Sequence, residues 1–81
     1  MPRSSRSRRD QRLRELLVAG RIDAGLTQEE VAARLNRPQS FVSKYESGER
    51  RLDVVELIEV GEAIGLDVRG LIETLIATAK E

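Results

Sequence analysis

Four side chains in one short stretch, Gln39, Ser40, Ser43 and Lys44, carry donors and acceptors that could read the polar edge of another molecule. An amide and a hydroxyl each donate and accept, whereas an ammonium only donates. At about 100° per residue, Ser40, Ser43, Lys44 and Ser47 fall on one side of a helix over 39–47, with Gln39 at its N-terminal edge. Phe41, Val42 and Tyr45 fall on the other side. The polar side holds no carboxylate, although a merely solvated helix face usually mixes Glu with Lys. With Arg37 just ahead of it, such a face suits an approach to phosphates and base edges.

A helix with that task needs a second one to hold it. Thr27 and Glu30 have the spacing of a capping box, with Leu26 and Val31 as the accompanying staple. They open a helix over 27–35, in which Val31, Ala32 and Leu35 form one apolar side. Asn36-Arg37-Pro38 makes the connection, and Gly48 ends the second helix with a residue that tolerates a left-handed backbone. Before this pair, Leu13, Leu16, Leu17 and Ala24 predict a helix over 10–24, capped by Asp10, ended by Gly25 and widened on its apolar side by Val18 and Ile22. Arg21 lies beside that face and, by itself, reads as a solvated charge. After the pair, Asp53 and Glu56 repeat the capping box and Leu52 and Leu57 the staple, opening a helix over 53–64. Its expected buried arc is Val54, Leu57, Ile58, Val60 and Ile64, with Glu56, Glu59 and Glu62 as a solvated stripe. A last helix over 67–80 has an Asp67 cap, a Leu66–Leu71 staple and a stripe of Val68, Leu71, Ile72, Leu75, Ile76 and Ala79. A stripe so long exceeds what a small core can cover, which makes Leu71, Leu75 and Ile76 a candidate dimer interface.

Composition narrows the class of function. The 81 residues allow one small domain, and Phe41 and Tyr45 are its only aromatics. With no Cys and no His, thiolate chemistry is excluded and the usual general base and commonest metal ligand are missing. No apolar run approaches the roughly 20 residues of a membrane span, and the Arg-rich start is not followed by a signal-peptide core. The expectation is a cytoplasmic, non-enzymatic protein with no cofactor, no metal and no small-molecule substrate. The net charge of zero conceals an asymmetry: residues 1–51 carry 12 Lys/Arg against 7 Asp/Glu, and residues 52–81 carry 2 against 7. The basic half contains the two-helix unit, as a nucleic-acid-binding chain requires. Residues 1–9 read as a flexible basic arm, either lying along DNA or simply solubilising, ahead of a domain over 10–81. Arg50 and Arg51, just past a helix end, are candidates for phosphate contact.

The motifs also carry a family likeness. Leu26-Thr27-Gln28-Glu29-Glu30-Val31-Ala32, then Gln39-Ser40, Val42-Ser43 and Tyr45-Glu46-Ser47-Gly48, and then Ala63-Ile64-Gly65-Leu66, resemble the phage-repressor-like (Cro/Xre) helix-turn-helix family. The resemblance runs from about residue 12 to 72 and implies an all-α, compact five-helix bundle whose third helix lies in the DNA major groove. It implies base contacts from Gln39, Ser40, Ser43 and Lys44, and phosphate contacts from Gln28 and Ser47 beside Arg37, Arg50 and Arg51. It also implies a structural ion pair between Arg21 and Glu46. Three positions depart from the family pattern. Asn36 stands where Gly is frequent, and Asn is the next residue best able to turn left-handed. Pro38 replaces a Ser or Thr cap. Phe41 is large for its position and is expected to pack beside Tyr45 rather than reach a thymine methyl.

These readings converge on a sequence-specific transcriptional regulator, a repressor in the simplest case, that binds double-stranded DNA as a homodimer. The alternative is an antitoxin-type interaction module, whose last helix binds a second protein and which autoregulates through DNA. One terminal apolar stripe serves either.

Overall fold

Side-chain caps and left-handed stops divide the chain into helices. The computed structural model describes residues 7–79. Among them lie α1 (Arg8–Asp23), α2 (Gln28–Leu35), α3 (Gln39–Ser47), α4 (Val54–Ile64) and α5 (Val68–Ala77), with no strand. The all-α five-helix bundle read from the sequence is the fold. Both capping boxes close: Thr27 Oγ1 accepts from the Glu30 amide at 3.1 Å while Glu30 accepts from the Thr27 amide at 2.8 Å. Asp53 and Glu56 repeat this at 2.7 and 3.0 Å. Such caps each contribute roughly 1 kcal/mol. Asn36 turns left-handed at φ 58, ψ 44, as expected, and its turn is closed by the Arg37 amide donating to the Ala32 carbonyl at 3.0 Å.

Three details at the helix ends differ from the sequence reading. Helix α1 starts at Arg8 rather than Asp10, because Ser7 is the better-placed cap: its Oγ accepts from the Asp10 amide at 3.0 Å and donates to Asp10 Oδ2 at 2.9 Å. Arg8 and Arg9 therefore belong to the helix and not to an arm; residues 1–6 of the expected arm lie outside the described residues. Helix α5 starts after Asp67, but that side chain makes no capping hydrogen bond. Asp67 has ψ 100 against 175 at Asp53, and the third helical position is Gly70, with no carboxylate to close a box. The helix ends at Ala77, where Thr78 becomes extended; residue 80, given to this helix by the sequence, lies outside the described residues.

The core is Leu17, Val31, Ala32, Phe41, Val42, Tyr45, Val60, Ile64 and Leu71, drawn from all five helices. Helix α2 packs on α3 and α4, while α1 packs on α3, α4 and α5. Close approach of α5 to α4 depends on Gly61, where a Cβ would overlap the Val68 side chain. The expected arc of α4 is buried only in part. Val60 and Ile64 are covered, but Val54 is 69% exposed, and Val55, Ile58 and Ile22 also lie open. Apolar type does not decide burial at the first turn of α4, where Glu56 and Leu57 are partly buried while Val54 and Val55 are exposed. Leu71 likewise departs from its expected place in a dimer interface. It is 4% exposed and spent on the core, so the open apolar surface of α5 is Ile72 and Ile76, with Leu75 half-buried beside them. Among the described residues no helix is long and apolar enough to cross a membrane.

Candidate nucleic-acid interface

Helix α3 is held from behind by Phe41, Val42 and Tyr45, all buried, which turns its polar side outward. Gln39, Ser40, Lys44 and Ser47 are exposed and Ser43 is half-exposed. The hydroxyls of Ser43 and Ser47 donate back to the carbonyls of Ser40 and Lys44 at 3.3 and 3.1 Å, and Ser47 Oγ also accepts from the Glu49 amide at 3.3 Å. Pro38 occupies the cap position and supplies no side-chain hydrogen bond, and no acid stands in the first turn.

The one carboxylate of α3 is folded away. Glu46 receives Arg21 Nε at 2.8 Å and Arg21 Nη2 at 3.2 Å, a largely buried two-pronged pair. Arg21 Nη1 also donates to the Leu26 carbonyl at 2.9 Å, so one guanidinium fastens α1, α3 and the start of α2. Hydrogen bonding to Glu46 raises the Arg21 pKa further, which keeps the guanidinium charged. The relay continues outward. Gln28 Nε2 donates to Glu46 Oε1 at 2.9 Å, and Gln39 Nε2 donates to Gln28 Oε1 at 3.2 Å. Arg21, Glu46, Gln28 and Gln39 thus join in one line from the interior to the exposed start of α3. A lone Arg beside an apolar face reads as solvated; its partner lies 25 residues away in sequence.

The three arginines flanking α3 do not stand free. Arg50 places Nη1 and Nη2 on Glu56 Oε1 and Oε2 at 3.0 and 2.9 Å, and Arg37 Nη2 reaches Glu56 Oε2 at 3.5 Å. Both guanidiniums also lie against the Phe41 ring, 4.4 Å from its centroid for Arg37 and 4.8 Å for Arg50. Phe41 meets Tyr45 edge-on at 5.5 Å and 73°, the packing expected of it. Arg51 makes a longer contact to Asp10 at 3.4 Å. Glu56, read from sequence as part of a solvated stripe, is a hub instead. Hydrogen bonds from Arg50, then from the Asp53 amide, hold its carboxyl down at about 2. Its place in the capping box is legible in the sequence; its second role needs the return of the chain past α3 to be seen. Sequence reasoning misses Arg34 as well, whose Nη1 donates to the Ala63 carbonyl at the end of α4 at 2.8 Å.

Geometry and motifs of this kind define a helix-turn-helix unit, and the family model for helix-turn-helix, of the Cro/C1 type, matches residues 17–71. The chain belongs to this Xre-type family of DNA-binding transcriptional regulators. An XRE-family-like protein from Pseudomonas syringae pv. tomato shares 54% identity and superposes with a TM-score of 0.82, covering 85% of this chain and 84% of that one. The HTH-type transcriptional regulator y4dJ of Sinorhizobium fredii, itself uncharacterized, is 44% identical over 46 residues, 57% of this chain. The match spans 60% of that relative and 36% of a second curated one. The fold is also that of the restriction-modification controller protein C.Esp1396I, solved as a tetramer on its natural 35 base-pair operator. There the TM-score is 0.72 at 22% identity, over 83% of this chain and 88% of that one.

Proposed function

We propose that this protein is a sequence-specific transcriptional regulator, a repressor where its site overlaps a promoter, acting as a homodimer on a two-fold operator. The observation that carries this reading is the exposed face of α3: amide, hydroxyls and one ammonium, cleared of negative charge because Glu46 turns inward to Arg21. Laid in a major groove, Gln39, Ser40, Ser43 and Lys44 meet base edges. Gln can pair in two-pronged fashion with adenine and Lys can donate to the acceptors of guanine, each good pair discriminating by about 1–3 kcal/mol. Gln28, Arg37, Ser47, Arg50 and Arg51 contact phosphates and supply affinity without sequence preference. The open apolar surface of α5, Ile72 and Ile76 with Leu75 beside them, supports pairing of two copies. Two such copies place their α3 helices about one DNA turn, roughly 34 Å, apart.

Selection of bound sequences from a random duplex pool tests the reading, with the mass of the selected complex measured alongside. An inverted repeat carrying two chains is the expected result. Enrichment of no sequence by the chain alone would remove the readout assigned to α3. Selection achieved only with a second protein in the complex would replace the homodimer by the interaction-module reading.

A further inference from the structure

We propose that Glu56 is a positioning residue for DNA binding, acting through Arg37 and Arg50, which it holds ready on the Phe41 ring as a two-guanidinium phosphate clamp. The inference rests on the DNA-binding reading above and assigns a part of it to a residue on α4.

The cluster is arranged with its cations outside and its anion inside. The Glu56 side chain is 12% exposed, while those of Arg37 and Arg50 are 39% and 38% exposed. A phosphate arriving at this flank meets guanidinium first. The carboxylate cannot follow the arginines outward, because Oε1 also accepts from the Asp53 amide that opens α4. Arg50 keeps donors to spare. Its Nη1 and Nη2 face Glu56, and Nη1 also reaches the Arg51 carbonyl at 2.9 Å. The edge formed by Nε and the outer hydrogen of Nη2 has no partner among the described residues, and that edge is a two-pronged match for phosphate oxygens. Arg37 spends a single 3.5 Å contact on Glu56. The two arginines stand on opposite flanks of α3, one ahead of Pro38 and one past Gly48, yet share one carboxylate and one ring. Flexible arginines would each lose rotamer freedom on binding; these have lost it beforehand. Two positive charges against one negative leave the cluster attractive to a polyanion.

The test measures the affinity of the full chain for its selected duplex and for an unrelated duplex across a salt series. Four chains are compared: unaltered, Glu56→Gln, Arg37→Ala/Arg50→Ala, and the three substitutions combined. The amide introduced by Glu56→Gln keeps an acceptor for the Asp53 N–H, and circular dichroism sets a temperature at which all four are folded. Glu56→Gln is expected to weaken both duplexes by about tenfold, the scale of ordering two long side chains during binding rather than before it. The slope against salt should stay the same, since the phosphates contacted do not change in number. In the Arg37→Ala/Arg50→Ala background the same substitution should add nothing. Tighter binding or a steeper salt slope for Glu56→Gln would show a carboxylate competing with phosphate, and would overturn the proposal. So would unchanged affinity, or an equal loss in the arginine-free background. An unaltered chain that binds neither duplex at any salt removes the DNA reading itself, and this inference with it.

Discussion

At the scale of single residues, the Arg21–Glu46 pair decides how α3 sits. Its partners are largely buried and hydrogen-bonded on both prongs, so removing Arg21 leaves the Glu46 charge in a poor dielectric with the neutral Gln28 amide as its remaining side-chain donor among the described residues. Breaking a buried pair in this way costs about 3–5 kcal/mol. Arg21→Ala should therefore lose roughly 3 kcal/mol of unfolding free energy in urea titration, a large fraction of what a domain of 81 residues holds. Tyr45 offers the opposite case. Its hydroxyl is buried with no hydrogen-bond partner among the described residues, and burial, with a smaller push from Glu46, raises its pKa from 10 to about 12. A raised acid favours the protonated folded state: its contribution is complete below pH 10 and is lost as pH rises through about 12. Tyr45→Phe should gain about 1 kcal/mol at neutral pH, because an unsatisfied buried hydroxyl is removed. It should also flatten stability between pH 10 and 12, and thermal melts across that range measure both effects.

At the scale of elements, most of the fold was legible from local devices, although Asp67 makes no capping hydrogen bond and Ser7 rather than Asp10 caps α1. Thr27 with Glu30, Asp53 with Glu56, and the left-handed Asn36 and Gly48 each act within a few residues, and each works as its spacing implies. What was not legible depends on which element passes over which. Val54 and Ile58 have the apolar type of core residues and are exposed, while Leu71 reads as surplus stripe and is buried. Glu56 reads as surface and binds two arginines, because only the tertiary arrangement brings the flanks of α3 onto α4. Gly61 belongs to the same group. A helix interior ordinarily gains up to about 1 kcal/mol when Gly becomes Ala. Here the added methyl would meet Val68, and forcing it in costs typically about 1–3 kcal/mol. Gly61→Ala should lower the melting temperature despite its better propensity. A rise would show that α5 can shift away freely.

At the scale of the whole molecule, α5 is where the fold meets the proposed assembly. Arg9 on α1 donates to the carbonyls of Thr78 and Ile76 at 3.0 Å, pinning the end of α5 to the opposite end of the chain. The pinned helix keeps Leu71 inward and presents Ile72 and Ile76 outward, the latter 67% exposed. Ile76→Glu should leave the melting temperature of the single chain within a few degrees, since nothing buried is disturbed. On the proposed pairing of two copies through α5, the same change should shift the species seen in sedimentation from dimer to monomer and weaken binding to a two-fold operator. A dimer that survives it would place the pairing surface elsewhere, with Val54, Val55 and Ile58 of α4 as the next exposed group.

The relay from Arg21 to Gln39 has one more consequence, concerning the order in which atoms are presented. A carboxylate can only accept, so Glu46 obliges Gln28 to point its NH2 inward and its oxygen outward. That oxygen in turn claims one N–H of Gln39. Gln39 thus reaches the surface with its carbonyl and one N–H uncommitted among the described residues, held in that order while its contact to Gln28 persists. An adenine edge, which offers an N–H beside a lone pair, fits that sequence of atoms in one sense and clashes in the other. Replacing Glu46 by Gln would let both amides turn over. In the proposed readout, the polarity of the edge that Gln39 presents is thereby set by an acid that faces away from it.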